Sequence, residues 1–131
     1  MKKRGILHPE LAHTIATLGK GDSLVVADAG VAVPADVKRI DLAVTAGVPR
    51  FMSVLAALLQ EMHVERAVVA RELVAKNPAF YDALVKLLGR ARVDQVSNEE
   101  LLRQTRRARA VVRTGEVTPF ANVILFSGST F

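Results

Sequence analysis

Lys20 and Asp28 are the residues around which chemistry could be organised. Lys20 stands in Leu18-Gly19-Lys20-Gly21-Asp22, a glycine-flanked turn between a helical pattern and the apolar run Ser23–Ala27. That run leads directly into Asp28-Ala29-Gly30. An ionisable side chain in a turn and a carboxylate at a strand end are the parts of an acid–base site at the edge of a sheet. Other chemistries find no support. The chain has no P-loop, no Gly-x-Gly-x-x-Gly after a strand, no His-Glu-x-x-His and no nucleophile elbow. Gly19-Lys20-Gly21 precedes a strand rather than a helix, so it is no phosphate loop. His8, His13 and His63 lack metal-ligand spacing and read as surface or cap residues, so no metal site is expected.

The elements that must position these groups alternate between short β-rich runs and longer helical patterns. Pro9–Leu18 reads as a helix with proline in its first turn and Gly19 as its stop. Ser23–Ala27 is a buried strand by its continuous apolar character. Arg39–Val44 is a second strand candidate, and Pro49 to about Met62 a helix with Phe51, Val54, Leu55, Leu58 and Leu59 at helical spacing. Arg66–Ala70 is a strand. Asn77-Pro78 caps and opens a helix to Leu88, which Gly89 stops. Arg92–Val96 is a short strand. Ser97-Asn98-Glu99-Glu100 has the capping-box pattern and starts a helix through Arg107. Ala110–Arg113 and Asn122–Phe126 complete the strands. This alternation predicts an α/β domain over residues 1–131, a layered and mostly parallel sheet flanked by helices. In such sheets ligands bind beyond the carboxyl ends of strands, where Asp28 and the Ser97-Asn98 cap fall.

Composition narrows the function classes. The chain has 131 residues, one domain's length, and half are hydrophobic, enough for a core. No apolar run approaches the roughly 20 residues needed to span a bilayer, and no signal-peptide region follows Lys2-Lys3-Arg4, so a cytoplasmic protein without membrane partners is expected. The absence of cysteine removes disulfides and thiolate catalysis. The net charge of +5 gathers at Lys2-Lys3-Arg4 and Arg103–Arg109 without stacking aromatics or a binding motif. It reads as a solvated helix face, with no nucleic-acid partner. The terminal Phe131, closely following a strand, could dock or remain free.

Three segments together say more: Lys3-Arg4-Gly5-Ile6-Leu7 through Gly19-Lys20-Gly21-Asp22 to Asp28-Ala29-Gly30; Arg39-Ile40-Asp41-Leu42 to Gly47-Val48-Pro49; and Arg113-Thr114-Gly115-Glu116-Val117-Thr118-Pro119-Phe120-Ala121-Asn122. In order and spacing the whole chain resembles the D-ribose pyranase family, within the group that also holds the fucose mutarotases. The Asp-Ala-Gly turn and the Arg-Thr-Gly-Glu segment favour the ribose branch. The resemblance implies an isomerase without a cofactor that interconverts the pyranose and other cyclic forms of a monosaccharide, D-ribose in this branch. It implies a homo-oligomer, a decamer of stacked pentamers with sites completed by adjacent protomers. It also implies that the family's catalytic histidine falls on Lys20, and its partner carboxylate on Asp28. A sugar-contacting histidine falls on Asn98, a tyrosine on Phe120, and the family's asparagine on Asn122.

The chemistry opens a cyclic hemiacetal, so one group deprotonates the anomeric hydroxyl while another protonates the ring oxygen. Histidine suits both tasks near neutrality. Lysine in its ordinary state is protonated at pH 7; it can donate but is a poor base. Its simplest state beside Asp28 is an ion pair. Asn98 and Asn122 can donate and accept hydrogen bonds to a sugar, and Phe120 can pack on an apolar face of one. Two readings follow: an active isomerase using Lys20 and Asp28, with ribose or a fucose-type sugar as substrate, and a sugar-binding or regulatory homologue with impaired catalysis.

Overall fold

The computed structural model describes residues 1–131. Its elements run α1 (Pro9–Thr17), β1 (Ser23–Ala27), β2 (Lys38–Asp41), α2 (Phe51–Leu59), β3 (Val64–Ala70), α3 (Arg71–Lys76), α4 (Pro78–Leu88), β4 (Arg92–Val96), α5 (Asn98–Thr105), β5 (Ala110–Arg113) and β6 (Val123–Ser127). The six strands form one sheet in the order β2-β5-β1-β6-β3-β4. Five strands run the same way. β6 runs against them, pairing antiparallel with β1 on one side and β3 on the other. The fold is therefore the layered, mostly parallel α/β sheet that the alternation predicts.

The two faces of the sheet bury different residues because successive side chains alternate. Leu24, Val26, Ala67, Val69, Val123 and Leu125 point into the larger core with Phe51, Leu55, Leu58 and Leu84 of the helices. Val25, Ala27, Val68, Ala70 and Ile124 point to the other face, beneath Leu101 of α5. β1 is buried along its whole length, which explains its unbroken apolar run. Phe51, fully buried, packs its ring 5.3 Å from that of Phe80 and ties α2 to α4.

Local chemistry sets the element boundaries. His8 caps α1, its Nδ1 accepting the Leu11 N–H at 3.1 Å. Asn77 caps α4 through Phe80 N–H, and Gly89 stops it at φ +62°. Ser97 accepts the Glu100 N–H at 3.1 Å as expected, but Glu100 does not reach back. Its carboxylate takes Arg103 and Gln104 instead, because two cationic and amide donors on the same helix face outbid one amide. α2 starts at Phe51 rather than at Pro49, and β2 ends at Asp41, where Asp41 accepts the Ala43 N–H and turns the chain. α3 has no counterpart in the sequence reading. Six residues give too little periodicity to register. Gly115 is required sterically: a Cβ there would lie 2.5 Å from the Val48 carbonyl oxygen and 2.6 Å from that of Thr45.

Candidate active site

Four neighbouring strands bring one set of ends to a single edge of the sheet. β1 ends before Asp28, β3 before α3, β4 before Ser97-Asn98, and β6, running the other way, begins just after Asn122. The antiparallel course of β6 is what carries Asn122 to Asp28. The Asp28 N–H donates to Asn122 Oδ1 at 2.9 Å, and Asn122 Nδ2 donates to Asp28 Oδ2 at 3.3 Å. Asn122 is buried, at 4% exposure, so this reciprocal pair fixes both side chains. The other carboxylate oxygen of Asp28 accepts the Gly30 N–H at 2.9 Å, which closes the Asp-Ala-Gly turn.

Burial pushes the Asp28 carboxyl above its ordinary value of 3.8; the Gly30 amide, Asn122 and the Ala121 amide pull against it, and the charge of Glu116 adds to the rise. A carboxyl so placed holds a proton more readily than a solvated one, which suits proton transfer. Glu116 was no candidate from sequence, although it stands in the quoted Arg-Thr-Gly-Glu segment. Its Oε1 accepts the Phe51 N–H at the start of α2 and its Oε2 the Thr118 hydroxyl. Arg113 supports the same turn, donating to the Ala29 carbonyl at 2.9 Å while pairing with both oxygens of Asp41.

Phe120 adopts φ +62°, a left-handed conformation that costs a bulky side chain about 1–2 kcal/mol. The strain turns the chain between Thr118 and Asn122, where the Ala121 N–H reaches the Thr118 carbonyl and the Asn122 N–H that of Phe120. The ring is half-buried beneath Lys76, whose Nζ lies 4.9 Å from its centroid. Asn98 opens α5 just beyond the end of β4, which is three strands from β1, about 14 Å at ordinary strand spacing. Its N–H donates to both Glu72 oxygens at 3.1 Å, while its Oδ1 is buried without a partner. Glu72 and Lys76 belong to α3, the helix with no sequence signal, and were missed for that reason.

Lys20 lies elsewhere. It precedes β1, whereas Asp28 follows it, and five strand residues put roughly 16 Å between the two ends. The expected Lys20–Asp28 ion pair is therefore not made within one chain. The Lys20 turn is itself well built. Gly19 N–H donates to Asp22 Oδ2 at 2.8 Å, Gly21 takes φ +86°, and Gly21 N–H and Ser127 N–H bond to Ser127 and Asp22 carbonyls respectively. Lys20 lines a cleft of about 460 Å³ shared with Ile15, Leu18, His63 and the C-terminal residues from Ser127 on. Asp28, Asn98, Phe120 and Asn122 are not part of that cleft. His13 is exposed on α1 and outside it.

The basic stretch that spans the end of α5 is partly neutralised: Arg103 pairs with Glu100 at 2.7 Å, and Arg109 with Asp22 at 3.2 Å. One face of the nearby Phe126 ring is covered by the Arg66 guanidinium, 3.9 Å from its centroid. No helix is long and apolar enough to cross a membrane. The terminal Phe131 is fully exposed in the single chain.

Comparison with known proteins finds relatives along the whole chain. The chain is 50% identical over its full length to a D-ribose pyranase of Symbiobacterium thermophilum, which it also covers completely. It is 46% identical over 139 aligned positions to a D-ribose pyranase of Haemophilus influenzae, again covering both chains entirely. The structure of Bacillus subtilis RbsD complexed with D-ribose superposes with a TM-score of 0.96 at 44% identity, over 100% of both chains. The fucose mutarotase from Streptococcus pneumoniae in complex with L-fucose shares the fold, at a TM-score of 0.82 and 22% identity over 95% of each chain. Residues 1–130 match the RbsD / FucU transport protein family, and the chain belongs to that family.

Proposed function

We propose that this protein is a D-ribose pyranase that opens and recloses the sugar ring by acid–base catalysis in the cytoplasm, without a cofactor. The observation that carries the reading is the Asp28–Asn122 pair, a half-buried carboxyl held in a fixed orientation at a strand end, in a chain half identical to named ribose pyranases. Asp28 and Asn122 fix and polarise sugar hydroxyls. The unpartnered Asn98 Oδ1 is an acceptor waiting for a hydroxyl donor. The Phe120 ring covers an apolar sugar face. The Lys20 ammonium donates a proton to the ring oxygen as the C1–O bond breaks.

Lys20 and Asp28 occupy opposite edges of the sheet, so a site that uses both takes Lys20 from one copy and Asp28 from the next. Such a head-to-tail contact generates a ring when its rotation closes and an open filament when it does not. A shared site of this kind fits the ring within the assembly that the family resemblance implies, pentamers stacked as a decamer. Exchange between ribopyranose and ribofuranose, followed by NMR with and without protein, tests the activity; no acceleration would sink it. L-fucose in the same assay decides the sugar branch. Mixing Lys20→Ala with Asp28→Ala tests the shared site. Two inactive variants should together recover about a quarter of the native rate, the share of contacts that pair two intact halves in a random ring. A second reading, a sugar-binding homologue with impaired turnover, is favoured by the lysine at position 20. Lys20→His discriminates the two. Ribose binding without turnover in the parent, and turnover in Lys20→His, would establish the second reading.

A further inference from the structure

Lys20 can supply a proton to the ring oxygen, but the anomeric hydroxyl must lose one, and an ammonium cannot take it. The Lys20 cleft contains a group that can. His63, in the turn before β3, lines it together with Glu61 and the C-terminal residues. Its position is built. The His63 carbonyl accepts the Gly128 N–H at 2.9 Å, and the edge of its ring lies so close that a Cβ on residue 128 would come within 2.8 Å of His63 Cδ2. The side chain is exposed, and it forms the wall between this cleft and a second one of about 450 Å³.

The other groups near it are less suited. Glu61 spends one oxygen on the Ile6 N–H at 2.6 Å. Glu65 comes to the same spot beside Gly128, its Oε2 2.9 Å from the position of that Cβ, and lines the second cleft with Arg90 rather than the Lys20 cleft, while the Phe131 carboxylate ends the chain. Carboxylates are weak bases near neutrality, whereas an imidazole ordinarily titrates there.

We propose that His63 is the general base of the Lys20 cleft, an assignment that rests on reading the chain as a ribose-ring isomerase. The imidazole takes the proton of the anomeric hydroxyl, O1 forms a double bond to C1, the C1–ring-oxygen bond breaks with its electron pair on the ring oxygen, and the Lys20 ammonium protonates that oxygen. Reclosure runs in reverse on the neighbouring hydroxyl. That hydroxyl attacks C1 and gives its proton to neutral Lys20, and the imidazolium returns its own to O1. Both residues end as they began.

The test compares the parent, His63→Gln, His63→Ala and, as control, His13→Gln, by NMR exchange of ribose across pH 5–9. His63→Gln should lose at least tenfold in rate at pH 7 and the inflection on the acid limb of the profile, while ribose-induced chemical shifts persist. Added imidazole should restore part of the rate of His63→Ala, and His13→Gln should match the parent. An unchanged rate and profile in His63→Gln would overturn the assignment. So would a loss of rate that keeps the parent's pH profile and that imidazole does not restore. A parent that accelerates nothing would sink the isomerase reading itself, and this one with it.

Discussion

Asn122→Ala attacks the one polar contact that both fastens the sheet edge and orients the candidate carboxyl. The substitution removes the acceptor of the Asp28 N–H and the donor to Asp28 Oδ2. Leaving a half-buried amide unpaired costs about 1–2 kcal/mol. The bond to the carboxylate is longer and its acceptor only half-buried, so its charge-assisted share is discounted to about 1 kcal/mol. The loss of side-chain volume adds little beyond this, so the total is about 2–3 kcal/mol. With an unfolding entropy near 2.1 cal/mol/K per residue, this corresponds to a fall in Tm of about 7–11 °C at fixed protein concentration.

The sign of the pH dependence follows from which form of Asp28 the bond serves. Asn122 donates to the ionised carboxyl and lowers its pKa, so its absence raises the folded-state pKa further above 3.8. That share of the stabilisation is present well above Asp28's folded pKa and is lost as pH falls through it. Urea unfolding at pH 7.5 and at pH 4 should therefore show the larger deficit at pH 7.5, with the residue at pH 4 reflecting the orphaned amide. A deficit below 1 kcal/mol at pH 7.5, or one that grows on acidification, would refute the reasoning.

Other outcomes are direct. Gly115→Ala forces a methyl against two backbone oxygens that cannot swing aside; it should cost about 3 kcal/mol or more and appear as loss of soluble protein or a sharply lowered Tm. Gly128→Ala meets the His63 and Glu65 side chains first, groups that can swing aside, so thermal denaturation should show a deficit under about 1.5 kcal/mol while the Lys20 cleft is altered. Glu72→Ala orphans the first amide of α5 and should cost about 1–2 kcal/mol, whereas Glu72→Gln keeps an acceptor and should cost under about 1 kcal/mol, both read by urea unfolding. Lys76→Met removes an exposed cation from the Phe120 ring and should change stability by less than about 1 kcal/mol.

What could be read from the sequence was what local chemistry writes there. The buried strand Ser23–Ala27, the Asn77-Pro78 and Ser97 caps and the Gly89 stop are each specified by a few adjacent residues, and the structure forms each of them. Three features were not legible. The direction of β6 depends on which strands it inserts between, and Val123–Ser127 has the same apolar look either way round. Glu72 and Lys76 lie on a helix too short for periodicity to reveal. The separation of Lys20 from Asp28 needs only the direction of β1, yet eight residues of sequence distance suggested proximity where an extended strand gives its opposite. Glu116 was visible in its motif, but its tie to the start of α2 joins residues 65 positions apart, which no local pattern records.

β6 begins just after Asn122, which holds Asp28, and finishes at Ser127, against the Lys20 turn. One buried five-residue strand thus abuts both half-sites. On the proposed ring, each protomer is donor to one neighbour and acceptor to the other, and a solitary chain, although fully folded, holds no complete site. Catalysis then becomes a readout of assembly. Dilution through the ring's dissociation range should extinguish turnover while far-ultraviolet circular dichroism stays constant. Lys20 could change during divergence without disturbing the Asp28 pocket that the same strand holds at its other end.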